Sequence, residues 1–103
     1  MKVYDVVWLA GAEDDLTSIF SKELDHSGNC TNAAKLVDEI EGQLKHLVRF
    51  PLIGRKVTQH LRRLLVGKQK YGLYYEVQPT RIMIHAILSL HQPPQQIKDR
   101  LDL

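Results

Sequence analysis

Apolar and polar positions follow two rhythms along this chain, and the change of rhythm marks its elements. Val3 to Leu9 is rich in β-branched and aromatic residues and predicts a strand that Gly11 ends. From Ala12 to about Asp25 the spacing is helical, with Leu16, Ile19, Phe20 and Leu24 on one face. Glu13, Asp14 and Asp15 lie in its first turn, where the positive end of the helix dipole favours acids. Asp25 to Asn29 reads as a turn. Thr31 or Asn32 can cap a second helix that runs to about Val48. Its apolar stripe is Ala33, Val37, Ile40, Leu44 and Leu47, widened by Leu36 and Val48. Two helices joined by a short loop make a hairpin.

Past the turn Phe50-Pro-Leu-Ile-Gly54 the rhythm changes to period two. Three short runs follow: Leu61 to Val66, Tyr71 to Val77 and Arg81 to Leu90. In the second, Tyr71, Leu73, Tyr75 and Val77 share a face; in the third, Ile82, Ile84, Ala86, Leu88 and Leu90 do. Gly67 to Lys70 and Gln78 to Thr80 are hairpin-length connectors, and Pro93-Pro94 stops the last strand. The expected architecture is α+β. A four-stranded, mainly antiparallel sheet includes the N-terminal strand, and the helical hairpin covers one face. The other face is expected to be free and to carry Met83, His85, Ile87, Ser89 and His91. A single domain is expected over residues 1–94. Residues 95–103 form a polar tail, a helical turn or disordered.

Charge changes this picture. Met1 to Glu41 holds nine acids and three lysines, a net of −6, whereas Lys45 to Arg81 holds nine basic residues against Glu76 alone, a net of +8. The overall +2 hides this polarity, which points to a polyanionic or acidic partner. The rest of the composition is that of a cytosolic globular protein of 103 residues, with no apolar run long enough to span a membrane. Cys30 is the single cysteine, so no internal disulfide is possible, and its polar neighbours make it a bystander.

The residues with possible chemistry are few. Arg49, Arg55, Lys56, Arg62, Arg63, Lys68, Lys70 and Arg81 are the basic set. Such a set in an ordinary domain is a solvated surface. Here it is segregated from the acids and interleaved with Tyr71, Tyr74 and Tyr75, which can stack on bases. Arg62 and Arg63 are adjacent in a strand and so point to opposite faces. Among the histidines, His85 reads as a half-buried strand residue. His91, at the end of the last strand, is the better candidate for contact or acid–base work. No metal-ligand spacing, phosphate-binding loop or nucleophile elbow is present, and neither metal nor cofactor is expected.

Several of these segments together resemble the toxins of the RelE/ParE superfamily, from bacterial toxin–antitoxin modules. The carriers are Val7-Trp-Leu-Ala10 with Glu13-Asp-Asp-Leu16, and Phe50-Pro-Leu-Ile-Gly-Arg55. Leu61-Arg-Arg-Leu-Leu-Val66, Tyr71-Gly-Leu-Tyr-Tyr-Glu-Val77, Ile82-Met-Ile-His-Ala-Ile87 and His91-Gln92 follow. Each motif is loose; their order and spacing carry the specificity. The resemblance implies a sheet with a helical hairpin packed on it. It also implies an antitoxin whose acidic, disordered segment folds on the toxin, leaving open a homodimer or a toxin–antitoxin hetero-oligomer.

The superfamily has two main activities. RelE-like members cleave mRNA in the ribosome with basic residues and often a tyrosine or histidine; ParE-like members block DNA gyrase. RelE-like relatives commonly place an arginine after the tyrosine that opens the third strand, and here that position is Gly72. His91-Gln92 is closer to ParE-like endings. The resemblance therefore implies a ParE-like toxin that poisons gyrase and is neutralised by an antitoxin. Its expected contact residues are Arg55, Arg62, Arg63, Lys68, Lys70, Arg81 and His91. The alternative, a ribosome-dependent endoribonuclease, would rely on His91, Arg63 and Tyr71 as catalytic residues. A further alternative is a non-toxic binding module of the same fold.

Overall fold

A computed structural model describes residues 3–27 and 31–103, so Cys30 and the last two residues of the expected inter-helix turn, Gly28 and Asn29, lie outside the described residues, while Asp25 to Ser27 of that turn belong to the first helix. The elements are β1 (Asp5–Trp8), α1 (Ala10–Ser27), α2 (Thr31–Leu47), β2 (Arg55–Lys56), β3 (Arg62–Val66), β4 (Tyr71–Val77), β5 (Arg81–Ser89) and α3 (Pro94–Arg100). One sheet has the strand order β1-β5-β4-β3-β2. The expectation of four mainly antiparallel strands is corrected: the sheet has five strands and is mixed. β1 runs parallel to β5, while the remaining neighbours are antiparallel. The fifth strand, β2, is two exposed cationic residues long, too short to show any alternation.

The helical hairpin packs on one face, as its two apolar stripes require. Ala12 and Ile19 from α1 and Leu36, Ile40 and Leu47 from α2 meet Val66, Tyr71, Leu73, Tyr75, Ile82, Ile84 and Ile87 from the sheet. α1 starts at Ala10, so Gly11 lies inside its first turn rather than before it. A Cβ at Gly11 would come within 2.9 Å of Arg100 Nη2, and that guanidinium donates to the Gly11 carbonyl at 3.1 Å.

A bulge in β5 changes which residues face the hairpin. Tyr75 pairs with Ile84 and Tyr74 with Ala86, leaving His85 as the extra residue. One extra residue reverses the alternation beyond it. Ile82, Ile84 and Ile87 therefore belong to the hairpin-side core, whereas Ala86 and Leu88 join Tyr74 on the other side. The strict alternation expected for this strand does not hold past Ile84.

That second face is not free along its whole extent either. Pro93-Pro94 stops β5 and opens α3, with a proline at the start of the helix, where its missing N–H costs nothing. Ile97 and Leu101 from α3 pack on Tyr74, Ala86 and Leu88. Arg100 then ties α3 to α1, donating to Asp15 Oδ1 at 2.8 Å. Asp15 has a further task. β1 ends its pairing at Trp8, opposite Ile84, and β5 continues to Ser89 without a strand on that side. The backbone N–H of Ile87 donates to Asp15 Oδ2 at 3.1 Å, so a side chain replaces the missing ladder partner.

Candidate functional site

The fold separates the expected contact residues Arg55, Arg62, Arg63, Lys68, Lys70 and Arg81 into four groups. Arg55 and Arg63 stand directly opposite each other across β2 and β3, on the sheet face away from the hairpin. Like charges in that relation repel. Among the described residues the ion pairs are His85–Glu76 and Arg100–Asp15, so neither arginine is neutralised. Arg63 Nε is buried without a hydrogen-bond partner. Gly72 accounts for the position of the stem: a Cβ there would meet Arg63 Cδ at 3.0 Å and Tyr74 Cε2 at 3.1 Å. The glycine thus makes room for Arg63 to lie across β4.

Arg62 points the other way and serves the chain itself. Its Nη1 donates to the carbonyls of Leu52 at 3.2 Å and Gly54 at 2.9 Å. Tyr75 braces the same turn from the core. Its hydroxyl accepts from Gly54 N and donates to the Pro51 carbonyl, both at 2.8 Å. Burial pushes the Tyr75 phenol above its ordinary range, partly opposed by Gly54 N–H and Arg62. The turn after α2 is therefore fixed by its backbone, while its side chains face outward.

Lys68 and Lys70 lie on the β3–β4 connector, where Gly67, Lys68 and Gln69 have φ of 65°, 56° and 69°. The Gly67 N–H donates to Glu39 Oε2 at 3.1 Å, which docks this connector on the acidic hairpin. The two lysines, Glu23, Glu39 and Tyr71 line a small cleft of about 200 Å³. Arg81 is at the opposite end of the sheet, donating to Gln78 Oε1 at 3.1 Å. His91 is exposed in the turn after β5, with its backbone N–H on Ser89 Oγ. His85, the bulge residue, bonds Glu76 at 2.9 Å.

An RNA-cleaving set would need a base, an acid and cations around one phosphate. Tyr71 donates to Glu23 Oε1 at 2.9 Å in the hairpin-side core. Burial, then the Glu23 hydrogen bond and charge, push its phenol up to about 12. Arg63 is on the other face, and His91 lies beyond the end of β5. The fold brings Arg55 and Arg63 together and puts Tyr71 and Arg63 on opposite faces of the sheet, while His91 follows Ser89, the β5 partner of Tyr71. Among the described residues, no three His, Cys, Asp or Glu side chains are placed to hold a metal ion.

A surface that the charge pattern did not reveal lies at the end of α2. Phe50, Leu52 and Ile53 are 54%, 63% and 48% exposed. With Tyr4, Pro51 and Val77 they line an open groove of about 660 Å³, bordered by His46 and Arg49. The run Phe50 to Ile53 reads as a turn by its proline and glycine. Its signal in the sequence was three large apolar side chains at positions where turns carry polar ones.

No curated protein matches the chain. A solved structure described as the chromosomal ParDE TA system from P. aeruginosa is similar, with 24% identity and a TM-score of 0.72. The match covers 86% of this chain and 98% of that one, and shows a shared fold. The family described as ParE toxin of type II toxin-antitoxin system, parDE, matches residues 6–94. That match spans β1 to the start of α3, and the chain belongs to the ParE toxin family of type II toxin–antitoxin systems.

Proposed function

We propose that this toxin acts in the cytoplasm by binding and poisoning DNA gyrase, and that a cognate antitoxin neutralises it. The observation that carries a binding mode over a cutting one is the position of Tyr71. Its hydroxyl is committed to Glu23 on the hairpin side, whereas Arg63 lies on the opposite sheet face. A phenol with a pKa near 12 holds its proton at neutral pH and is a poor general base. The unneutralised pair Arg55 and Arg63 supports an electrostatic contact with an anionic surface of the target. Lys68, Lys70 and Arg81 extend the charge to the ends of the sheet, His91 adds a polar contact at one of those ends, and Arg62 supports the turn beside it.

The test measures two targets with one preparation. Purified protein is expected to inhibit supercoiling by gyrase, with Arg63→Glu weakening inhibition at least fivefold. Ribosome-bound mRNA is expected to remain intact in parallel. Discrete cuts in translated message that vanish in His91→Ala or Arg63→Ala would replace the gyrase reading with the endoribonuclease one. Growth unaffected by expression would favour the non-toxic binding module.

A further inference from the structure

We infer that the ribbon of β2 and β3 binds duplex DNA, entering the major groove edge-first. This ligand goes beyond the gyrase reading and does not depend on it, since the contact is to the nucleic acid itself. The ribbon is the outer edge of the sheet, and both of its paired rungs are cationic: Arg55 lies opposite Arg63, and Lys56 opposite Arg62. Successive strand residues point to opposite faces, so each face of the ribbon carries positive charge. Among the described residues none of the four is ion-paired. The single acid of strands β2 to β5, Glu76, is held by His85 at 2.9 Å.

Like charges opposed across two rungs repel and destabilise the free chain. Arg62 has a structural use, bracing the turn before β2. Arg55 and Lys56 are exposed, and Arg63 Nε is without a partner. An anionic ligand that reaches both faces relieves the repulsion.

The two charged faces select the shape of that ligand. A flat acidic protein surface meets one face and leaves the other, whereas a groove walled by two rows of phosphates meets both. One layer of sheet with its side chains is about 10 Å thick, and the major groove of B-DNA is about 12 Å wide. Paired strands lie about 4.8 Å apart, so a groove about 8.5 Å deep takes both of them. The major groove of double-stranded RNA is too narrow to admit them. The connector after β2 is ordered by its own hydrogen bonds. Val57 N–H donates to the Leu61 carbonyl at 2.8 Å, and Thr58 Oγ1 accepts from the N–H of His60 at 3.3 Å and of Leu61 at 3.1 Å. Gln59 and His60 are exposed on it and can donate to or accept from base edges.

Fluorescence anisotropy of the full chain with a short labelled DNA duplex tests the assignment. Phosphate contacts from Arg55, Lys56 and Arg63 predict a salt slope of about −2.7, and so a loss of affinity of about fortyfold between 50 and 200 mM salt. Arg55→Glu and Lys56→Glu are each expected to raise Kd about fivefold or more and to flatten the slope by about one. Lys98→Glu on exposed α3 makes the same change in net charge and is expected to leave Kd within about twofold. Absence of duplex binding at low salt would overturn the inference. Equal losses in Lys56→Glu and Lys98→Glu, or equal affinity for double-stranded RNA, would overturn it too. Supercoiling inhibition is read separately. Its absence with DNA binding intact removes the gyrase reading and leaves this one, and its presence without DNA binding does the reverse. Arg55, Lys56 and Lys98 are all exposed, and circular dichroism of each variant verifies that it is folded.

Discussion

Replacing Asp15 by alanine is expected to destabilise this protein far more than its surface position suggests. One oxygen of Asp15 accepts from the Ile87 N–H at 3.1 Å, and the other accepts from Arg100 at 2.8 Å. Removing the carboxylate leaves a partly buried backbone N–H without a partner, a loss of about 1–3 kcal/mol. The Arg100 pair is largely open to solvent on the arginine side and adds roughly 0.2–1 kcal/mol. Together these give about 1–4 kcal/mol, or a fall in Tm of roughly 5–20 °C for a domain of this size. Arg100→Ala removes only the second contribution and its bond to the Gly11 carbonyl, so about 1 kcal/mol is expected. Asp15→Asn keeps an oxygen for Ile87 and should resemble Arg100→Ala. Urea unfolding followed by circular dichroism, with the double variant to complete the cycle, measures each value. If Asp15→Ala costs no more than Arg100→Ala, the carboxylate is not replacing a missing strand, and the reasoning fails.

Other expectations follow from single contacts. Gly54→Ala would push a methyl to within 2.8 Å of Tyr75 Cε1 and is expected to cost about 2 kcal/mol by urea unfolding. Tyr75→Phe, which loses bonds to Gly54 N and the Pro51 carbonyl, should cost about 1–3 kcal/mol; a neutral result would mean the turn is not braced there. Tyr71 has its pKa raised to about 12 from 10.0, so the folded state holds this proton more tightly. Its contribution is complete below pH 10 and lost as pH rises towards 12. Tyr71→Phe should therefore flatten part of the alkaline fall in stability, and an identical pH profile would contradict the assignment. Ile97→Asp places a charge against Tyr74 and Leu88 and should loosen α3; hydrogen exchange ought to rise in residues 94–103 before it rises in β4.

The two helices were legible because each needs only one apolar stripe at a fixed spacing. Ile19, Leu36, Ile40 and Leu47 are buried as expected, and only the stripe's margin differs, with Leu24 36% exposed. The alternation in β4 also held, placing Leu73 and Tyr75 in the hairpin-side core. The β5 pattern misled past Ile84, because a bulge depends on how two strands register and leaves no local mark. For the polar tail a helical turn and disorder both stayed open, since two apolar residues, Ile97 and Leu101, are too few to show a period, and the structure has the helix α3 there. At the candidate site, adjacency correctly sent Arg62 and Arg63 to opposite faces. It did not show that Arg62 would be used inside the turn or that Arg55 would face Arg63.

The sequence by itself determined the helical hairpin, the meander of later strands and the segregation of charge, because these depend on side-chain type at short, fixed intervals. Only the tertiary structure decided which cations stand together, which tyrosine is held by an acid and where apolar side chains stay outside. Those outcomes depend on the register between distant strands and on the space left by Gly72 and Gly54, which no spacing along the chain encodes.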